Sequence, residues 1–437
     1  MKRRNSSKGI ALIFALFALA ILMIIGFTLQ SIMTIELQSS MNRLSSSRAY
    51  YYAMAGVARA EAELKTDYYW SGAGGVAIGS GSYTVSVWAD PNNNGRSLKI
   101  WKATCTGASG SSTRTIVVWL QQDSFAKYAY FTDREQTSSN QTIWFVNRDS
   151  ITGAAHTNGY FNIYQNPKFS EKVDSANNSD PYFDNRNRNY RVGGYTYTDT
   201  AKFYHTYNNY NSDYPVALNN SPGFSFSGGQ ANIPLPGNTN IISSNANYTY
   251  NGNTTITLLN TGSMQVTPPS GRSFIQPIPP QGATVFVNGT LNLSGTLKGR
   301  LTIGTNGNIN ITDNVLYSDR TSDVLGLVSG AHIVIQTNQN VQRDMEIDAA
   351  MMALNTSFYV DSYQSGVPRG TLHIFGGIIQ KNRGAVGTFN GSNGSLMTGY
   401  SKDYVYDSKL LNYPPLNFPT TGQITIKAIQ DMGALGH

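Results

Sequence analysis

The chain has one cysteine, Cys105, and few charged side chains, which make up 13% of its 437 residues. A single cysteine cannot form an internal disulfide, so we expect Cys105 to be a small buried side chain in a strand. Glycine and tyrosine are plentiful instead, with 42 and 27 copies, and Asn, Ser and Thr are common after Tyr68. This composition is typical of an extracellular β protein with many turns that is stabilised by packing.

A strongly basic region is also missing, although the net charge is +7. Lys2, Arg3, Arg4 and Lys8 precede an apolar run, and without these four the 32 basic residues fall to 28 against 25 acidic ones, a balance of +3. The charge therefore indicates the orientation of the N-terminus and is weak evidence for a nucleic-acid partner.

No G-x-S-x-G, P-loop or C-x-x-C motif is present, and the sequence predicts neither an enzyme nor a cofactor. His205, His332 and His373 are too far apart in sequence to form a zinc motif. His156 lies in Gly-Ala-Ala-His-Thr-Asn-Gly. We interpret it as structural, in a turn held by its polar neighbours, and the alternative is a catalytic or metal-binding histidine.

Three carboxylates, Asp344, Glu346 and Asp348, alternate along a predicted strand and therefore share one face of it. Enzymes that cleave polysaccharides need clustered carboxylates, so a membrane-anchored carbohydrate-active enzyme is one alternative. We interpret the three instead as a solvated outer face opposite Met345 and Ile347.

Twenty uncharged and mostly apolar residues, 10–29, follow the basic leader. As a helix they would span about 30 Å, the thickness of a bilayer core, with the leader in the cytoplasm and the rest of the chain outside. A cleaved secretory signal or a simple signal anchor is the alternative, but a secretory apolar region is usually about 7–15 residues long.

Apolar side chains continue beyond this run at helical spacing, at Met33, Leu37, Met41, Leu44, Tyr51, Ala55, Ala58 and Ala62. The N-terminus is therefore predicted to be one helix of about 55 residues, roughly 80 Å long. A helix of this length cannot be buried in one small domain, so it needs neighbours outside the chain.

The stretch "KGIALIFALFALAILMIIG", followed by "AYYYAMAGVARAEAEL", resembles type IV pilins and pseudopilins, and PilX-type minor pilins most of all. The resemblance implies that a prepilin peptidase cuts after Gly9 and leaves Ile10 as the mature N-terminus. Most members have Glu at mature position five, which pairs with the N-terminal amine of the subunit ahead; here that residue is Phe14. In this respect the chain resembles tip pseudopilins. Gly26 and Thr28 are expected to let the helix loosen locally once it is packed.

Three alternating segments, 81–89, 97–105 and 114–121, predict an antiparallel meander, and they resemble the sheet that packs on the pilin helix. The first turn, 90–95, imitates half of a calcium loop. Its twelfth position is Trp101 rather than Glu, so we favour an ordinary hairpin turn over a calcium site.

Very short strands separated by Gly and Asn recur through residues 283–312, with apolar pairs at Val285/Val287, Leu291/Leu293, Leu301/Ile303 and Ile309/Ile311. Hairpins with regular two-residue turns would give this pattern, but a parallel β-solenoid explains it more simply. The block 174–272 is rich in Asn, Tyr and Ser, and is predicted to form long loops or a poorly ordered decoration.

Stretches such as "NRDSITGAAHTNGYFNIYQNPKFSEKV" and "GYSKDYVYDSKLLNYPPLNFP" resemble ComZ-type large minor pilins, in which a β-solenoid is inserted into the pilin sheet. The resemblance implies that "GQITIKAIQDM" returns to that sheet as its last strand. It also singles out family-motif residues, expected to be structural: His156, Thr157, Asn158, Gly159, Tyr400, Tyr406, Asp407, Pro414 and Pro415.

The predicted fold is α+β, with a long pilin-like helix on a small antiparallel sheet and a large β-solenoid. The expected segments are a basic leader (1–9), the transmembrane and amphipathic helix (10–66), the pilin-like sheet (67–123), the solenoid with its Asn/Tyr-rich loops (124–421) and the return strand (422–437).

The predicted function is structural: a minor pilin or pseudopilin at or near the tip of a type IV pilus-like fibre. Its expected partners are other pilin subunits, the inner membrane before assembly and prepilin peptidase, and the solenoid is expected on the cell surface. The alternative is a binding module, either a DNA-uptake receptor or an adhesin for a surface glycan. The candidate DNA contacts are Lys127, Arg134, Arg148, Lys168, Lys172, Arg186, Arg188 and Arg191, with Tyr182, Tyr190, Tyr195 and Tyr197 for stacking. Acidic residues interrupt that series, which favours a mixed-charge loop.

Overall fold

The computed structural model describes residues 7–89, 98–145, 149–159, 161–163, 167–176, 182–183, 190–192, 195–197, 203–204, 225–227, 229–336, 340–390 and 395–433. The chain forms two compact units. The first contains residues 1–91, 100–121 and 424–437, and the second contains residues 92–99 and 122–423.

The first unit begins with a helix, α1, that runs unbroken over Ser7–Thr66 for 60 residues. This confirms the single long helix predicted from the sequence. Ala, Leu and Met, which favour helices, are common in it, and it has no proline. Lys65 lies in its last turn, where a cation favours the helix dipole, and the Asp67 carboxylate accepts the backbone N–H of Tyr69 just beyond its end (2.8 Å).

The sheet of the first unit has five strands: Gly72–Ile78 (β1), Gly81–Ala89 (β2), Ile100–Ser109 (β3), Ser112–Ser124 (β4) and Thr420–Asp431 (β31). Their order is β1-β2-β3-β4-β31, and the first four pair antiparallel. The three predicted strands are present as β2, β3 and β4. The sequence did not predict β1, because its Gly-Ala-Gly-Gly start carries no apolar alternation.

The inner face of this sheet packs on the second half of α1. Cys105 of β3 is fully buried there, as predicted, and burial raises the pKa of its thiol to about 12.

The second unit starts with eleven short strands: Tyr130–Arg134 (β5), Ser150–Thr152 (β6), Ala155–Thr157 (β7), Asn162–Ile163 (β8), Lys168–Phe169 (β9), Lys172–Ser175 (β10), Tyr182–Phe183 (β11), Tyr190–Val192 (β12), Tyr195–Tyr197 (β13), Phe203–Tyr204 (β14) and Ser225–Ser227 (β15). A 3-10 helix, Phe125–Lys127, precedes them. β14, β11 and β8 form a separate three-stranded sheet, and β12 pairs with β13.

Fifteen further strands follow: Tyr248–Asn251 (β16), Thr254–Leu259 (β17), Ser263–Thr267 (β18), Phe274–Pro277 (β19), Ala283–Asn288 (β20), Leu291–Leu297 (β21), Arg300–Thr305 (β22), Ile309–Tyr317 (β23), Val324–Ser329 (β24), Ile333–Ile335 (β25), Met345–Ala353 (β26), Phe358–Val360 (β27), Pro368–Asn382 (β28), Gly387–Phe389 (β29) and Leu396–Tyr406 (β30). A short helix, Asn240–Ser244 (α2), and a 3-10 helix, Ser408–Leu411, complete the described elements.

Most of these strands pair in parallel with the strand two positions further along the chain. In one row β20 pairs with β22, β22 with β24, β24 with β26 and β26 with β28. In another row β21 pairs with β23, β23 with β25 and β25 with β27. Each turn of the chain therefore lies on the previous turn, about 4.8 Å away. Antiparallel pairs occur where β17, β18 and β19 follow one another and between β29 and β30.

Apolar side chains stack in columns along the first row. Val285, Ile303, Leu327, Met351 and Ile378 occupy one register position in five successive strands, and each is at most 1% exposed. Stacked aliphatic side chains of this kind form a continuous core along the unit.

The first turns of this unit stack on its last turns. Residues 378–382 of β28 pair in parallel with β5, and residues 403–405 of β30 pair with β6. We call this contact the joint. It brings together segments about 250 residues apart in the sequence.

A second apolar cluster lies on the outer side of the β20–β28 row. Phe286, Val328, Met352, Ile379 and Phe131 share one register column there. Two segments without strands, 229–247 and 408–418, cover this column with Ile233, Ile242, Leu410 and Phe418. A glycine in the row leaves space for one of these covering side chains, since a Cβ at Gly304 would lie 2.5 Å from a side-chain atom of Ile242.

Candidate functional site

The first part of α1 has no packing partner in the described chain. Every residue from 10 to 44 is exposed, and Leu12, Phe14 and Phe27 are 64%, 70% and 70% accessible. Of the described residues, only α1 is a helix long and apolar enough to cross a membrane. At 1.5 Å per residue this exposed segment is about 50 Å long.

The second half of the same helix is held firmly on the sheet. Ala49, Ala53, Val57, Ala60 and Leu64 are at most 2% exposed and follow each other at steps of four, four, three and four. Because the two halves form one unbroken helix, the exposed segment projects from the sheet as a rod. An exposed apolar surface of this length marks contact with lipid or with other protein.

The residues that the sequence singled out for processing and assembly all lie in the exposed part of this helix or its first turns. Gly9 and Ile10 are in its first turns, and Phe14 points an uncharged ring outward. A Cβ added at Gly26 would meet nothing within 4 Å, and Thr28 Oγ1 donates to the carbonyl of Ile25 (2.8 Å). The helix is regular around Gly26, so the expected loosening is not a property of this free form.

His156 lies in β7 at the end of the outer column and is 1% exposed. Its ring stacks on Phe131, with centroids 5.0 Å apart. Nδ1 contacts the carboxylate of Asp174, and Nε2 lies 3.1 Å from Oδ1 of Asn158. A histidine engaged at both nitrogens and packed against a ring has no free position for a ligand or a substrate.

Asn158 connects this strand to the covering segment 229–247. Its Nδ2 donates to Asp133 Oδ1 and to the Ile233 carbonyl, both at 2.9 Å, and its Oδ1 accepts the Ile233 N–H (3.0 Å). The sequence motif around His156 therefore fixes one turn of the stack and the segment that crosses it.

Asp174 is held in its charged form. Burial by itself would raise the pKa of this carboxyl, but the hydrogen bonds from His156 and Lys172 outweigh burial and leave the pKa below its ordinary value. Lys172 Nζ lies 2.7 Å from Asp174 Oδ2.

Thr157 and Gly159 belong to a neighbouring polar cluster. Thr132 Oγ1 donates to Thr157 Oγ1 (2.8 Å), the Gly159 N–H donates to the same oxygen (3.0 Å), and Ser175 Oγ donates to the Gly159 carbonyl (2.6 Å). These contacts tie three successive turns of the chain together.

Two ion pairs are buried at the joint. Arg383 Nη1 lies 2.8 Å from Glu135 Oε2, with both side chains 2% exposed, and the guanidinium rests on the Phe145 ring (3.6 Å). Lys402 Nζ lies 2.5 Å from Asp149 Oδ2. Burial lowers the pKa of Lys402, and the Asp149 carboxylate offsets part of that effect.

The C-terminal motif residues are structural contacts as well. Tyr400 is 2% exposed with the Arg369 guanidinium 5.9 Å from its ring, and the Tyr406 hydroxyl donates to the Ala126 carbonyl (3.0 Å). Asp407 caps the 3-10 helix that follows it and pairs with Lys409. Burial raises the pKa of the Asp407 carboxyl, against the opposing effect of that lysine.

The two prolines of the motif lie in the covering segment 408–418. The Pro414 carbonyl accepts a hydrogen bond from Arg300 Nη2 (2.5 Å), and that guanidinium stacks on Tyr413 (3.9 Å). Pro415 lies against Gly326, where a Cβ would be 2.6 Å from it.

The predicted solvated face of three carboxylates is wrong for Asp348. Asp348 is 1% exposed, accepts the Tyr317 N–H (2.9 Å), and pairs with Arg320 (2.8 Å). Arg320 also pairs with Glu346, while Asp344 accepts the Thr371 N–H (2.7 Å). The period-two pattern correctly placed Glu346 and Asp348 on one face of β26, but the Arg320 side chain pairs with both and covers that face.

Two of the four described cations in the proposed DNA-contacting series, Lys127 and Lys172, have acidic partners. Lys127 pairs with Asp123 (2.6 Å), Lys172 pairs with Asp174, and Arg134 donates to Asn140 (2.8 Å). Lys168 is exposed. The following residues or their side chains lie outside the described part of the chain: Arg148, Arg186, Arg188, Arg191, Tyr182, Tyr190, Tyr195, Tyr197, His205 and the loop 90–95.

In the described ranges, no three of His, Cys, Asp and Glu are placed to hold a metal ion. The sequence did not reveal the buried cations Arg300, Arg369, Arg383 and Lys402, because charged residues are normally at the surface. One signal was available: Lys402 lies between Tyr400 and Tyr404 at inward-facing parity in β30.

Comparison with known proteins adds two findings. Residues 97–177 match the model of a domain of unknown function, DUF4900. The crystal structure of the competence-associated pilin ComZ from Thermus thermophilus matches 90% of this chain and 98% of its own, at 13% identity and a TM-score of 0.32. No curated protein matches the chain. At that TM-score the likeness supports no conclusion about function.

Proposed function

We propose that this chain is a pilin-like subunit of a type IV pilus-like fibre, anchored in a membrane by α1 before assembly. The supporting observation is the exposed apolar segment 10–44, which continues without a break into the half of α1 that packs on the sheet. A cleaved secretory signal would be removed and needs no such continuation.

The physical basis is the free energy of covering apolar side chains. Burying one Leu, Ile, Phe or Met side chain contributes about 1.5–3 kcal/mol, so a rod with this many exposed apolar side chains is unstable in water. A bilayer covers it, and a bundle of similar helices covers it equally well. Assembly then exchanges lipid for helix neighbours without exposing the rod to water.

The N-terminus sets the place of the subunit in the fibre. In this proposal prepilin peptidase cuts between Gly9 and Ile10. Phe14 offers no carboxylate to pair with the amine of a subunit ahead, so the chain belongs at a fibre end and in few copies.

The second unit is the displayed part of the subunit. Parallel pairing of each strand with the strand two positions on, and the apolar columns that result, support a β-solenoid. We assign it no catalytic role, since Asp344, Glu346 and Asp348 each have a protein partner.

N-terminal sequencing of the membrane-extracted protein, from cells with and without prepilin peptidase, tests this function. We expect the chain to begin at Ile10 with the peptidase and to keep its leader without it. A soluble monomer that begins beyond residue 29 would contradict the proposal, because the rod would be absent from the mature protein.

A further inference from the structure

The last strand of the first sheet has a free edge. β31 lies outermost in the order β1-β2-β3-β4-β31, so in the described part of the chain it pairs with β4 alone. All seven residues from Thr425 to Asp431 are exposed. Because side chains alternate between the two faces of a strand, both faces of this segment are uncovered. We call residues 425–431 the open edge.

The opposite edge of the same sheet is interrupted. β1 has a register shift between Ala73 and Val76, and the φ angles of Gly72 and Gly75 are +129° and +59°. Bulges of this kind break the regular row of N–H and C=O groups, and natural sheets use them to prevent further pairing. The open edge contains neither glycine nor proline. The sheet is therefore protected at one edge and available at the other.

The side chains of the open edge favour pairing with another strand. Thr425, Ile426 and Ile429 are β-branched, and the two isoleucines are 38% and 51% exposed. An added strand binds the free backbone groups and also lies beside the side chains of both faces. A helix on one face would leave those backbone groups unpaired. A bilayer would do the same around a lysine and an aspartate, which is costly in lipid.

The charge of the open edge indicates the chemistry of the partner. Asp431 already pairs with Arg114 (2.5 Å). Lys427 is exposed and forms no ion pair with any residue that the structure describes. Opposite charges that face each other on neighbouring strands attract, and like charges repel. A strand with a carboxylate opposite Lys427 therefore fits this edge better than a basic one.

We propose that the open edge receives an extended acidic strand from a neighbouring subunit of a different kind, a partner that rests on the proposed fibre function. The added strand pairs with β31 as the sixth strand of the sheet, with a carboxylate opposite Lys427 and apolar side chains beside Ile426 and Ile429. A different subunit is the fitting source, because a chain present in few copies at a fibre end has few neighbours of its own kind.

Hydrogen exchange followed by mass spectrometry tests this interface in the full-length chain. An affinity tag isolates the chain as the free subunit in detergent and within sheared fibres. Unpaired N–H groups exchange rapidly and paired ones slowly. We expect the fast-exchanging amides of residues 425–431 to exchange about tenfold more slowly in fibres. Residues 72–78 of β1 are the internal control and should exchange equally in the two states.

The outcomes separate this inference from the function on which it rests. If the chain is recovered from fibres and residues 425–431 exchange as in the free subunit, the strand interface is wrong and the fibre function stands. If sheared fibres do not contain the chain, the fibre function fails and the interface fails with it. Slow exchange that develops in the purified subunit as its concentration rises would show that a second copy binds the edge, and would overturn the proposed partner.

Reversal of one charge tests the acidic character of the partner. In fibres, Lys427→Glu is expected to make the protected amides of residues 425–431 exchange about fivefold faster, because repulsion replaces attraction between the two strands. The matched control is Lys298→Glu, the same change at an exposed lysine of the second unit, which should keep the protection. Both variants should unfold at the same temperature as the unmodified chain in detergent. Full protection in Lys427→Glu would overturn the acidic partner.

Discussion

At Gly107 the backbone of β3 approaches α1 so closely that no side chain fits. A Cβ there would lie 2.0 Å from the Ala49 carbonyl oxygen and 2.4 Å from the Ala53 nitrogen. Both are backbone atoms, so neither can rotate away as a side chain would. A single residue thus sets the distance between the helix and the sheet.

Gly107→Ala is therefore expected to destabilise the first unit by about 1–3 kcal/mol, the usual cost of overpacking. Four of the five tryptophans, Trp70, Trp88, Trp101 and Trp119, belong to that unit, so tryptophan fluorescence during thermal unfolding in detergent reports on it. The matched control is Gly74→Ala, whose added Cβ meets nothing within 4 Å. Equal midpoints for the two variants would show that the helix adjusts freely.

Asp174 makes the stability of the second unit depend on acid. Its pKa is lower in the folded chain than in the unfolded chain, so its contribution is complete above the ordinary Asp pKa of about 3.9. That contribution is lost as the pH falls through the folded-state pKa, because the proton breaks the contacts with His156 and Lys172.

We expect Asp174→Asn to lower the unfolding midpoint at neutral pH and to flatten its fall between neutral and acidic pH, measured by circular dichroism. Asp361→Asn, at an exposed carboxyl group, is the control and should leave the acid slope unchanged. An unchanged slope in Asp174→Asn would mean that other groups govern the acid sensitivity.

At the scale of elements, α1 combines two environments in one continuous helix. Residues 10–44 are exposed, and the residues beyond them meet the sheet. Gly26 lies in the middle of the exposed part, where alanine would fit without contact and would favour the helix by about 1 kcal/mol.

Gly26→Ala is expected to leave the free subunit folded as before. If the proposed loosening of the packed helix at Gly26 contributes to assembly, the same change reduces incorporation into fibres, because alanine holds the helix more firmly there. Incorporation is measured from sheared fibres by immunoblotting, with Ala20→Ser as the control in the same stretch. Unchanged incorporation and unchanged helix geometry in the fibre would remove the role given to Gly26.

The helix and the strands β2, β3 and β4 could be predicted because their period is visible in adjacent residues. The rows of parallel strands left only a local trace, the repeated apolar pairs such as Val285/Val287. The joint left no such trace in the sequence, because β28 pairs with β5 across about 250 residues. Its ion pairs are formed by charged residues, which a sequence pattern assigns to the surface. Local pattern cannot specify which distant turn is stacked on which.

For the whole molecule, the second unit is an insertion between two neighbouring strands. β4 ends at Ser124, β31 begins at Thr420, and the two lie side by side in the sheet. The ends of the insertion touch: the Phe125 N–H and Ser124 Oγ donate to the Pro419 carbonyl, at 3.1 and 3.3 Å.

Replacing residues 125–419 by Asn-Gly is therefore expected to give a chain in which the first unit still folds, since that dipeptide closes a hairpin between adjacent strands. Its tryptophan emission and cooperative melting in detergent should match those of the first unit in the full chain. A control that also lacks β31 should melt earlier. A shortened chain without a cooperative transition would show that the sheet needs its insertion.

The joint and β31 make completion of both units depend on residues far along the chain from the strands they join. A polypeptide is synthesised from its N-terminus. β5 can pair with β28 only after residues 378–382 have been made, and the first sheet is complete only after residues 420–431 have been made. A translation product that stops before residue 368 lacks the closing strand of both units. Premature termination is thus expected to yield a chain in which both units lack a strand. The unpaired strands of such a chain are accessible to proteases, so strand order favours degradation of incomplete products.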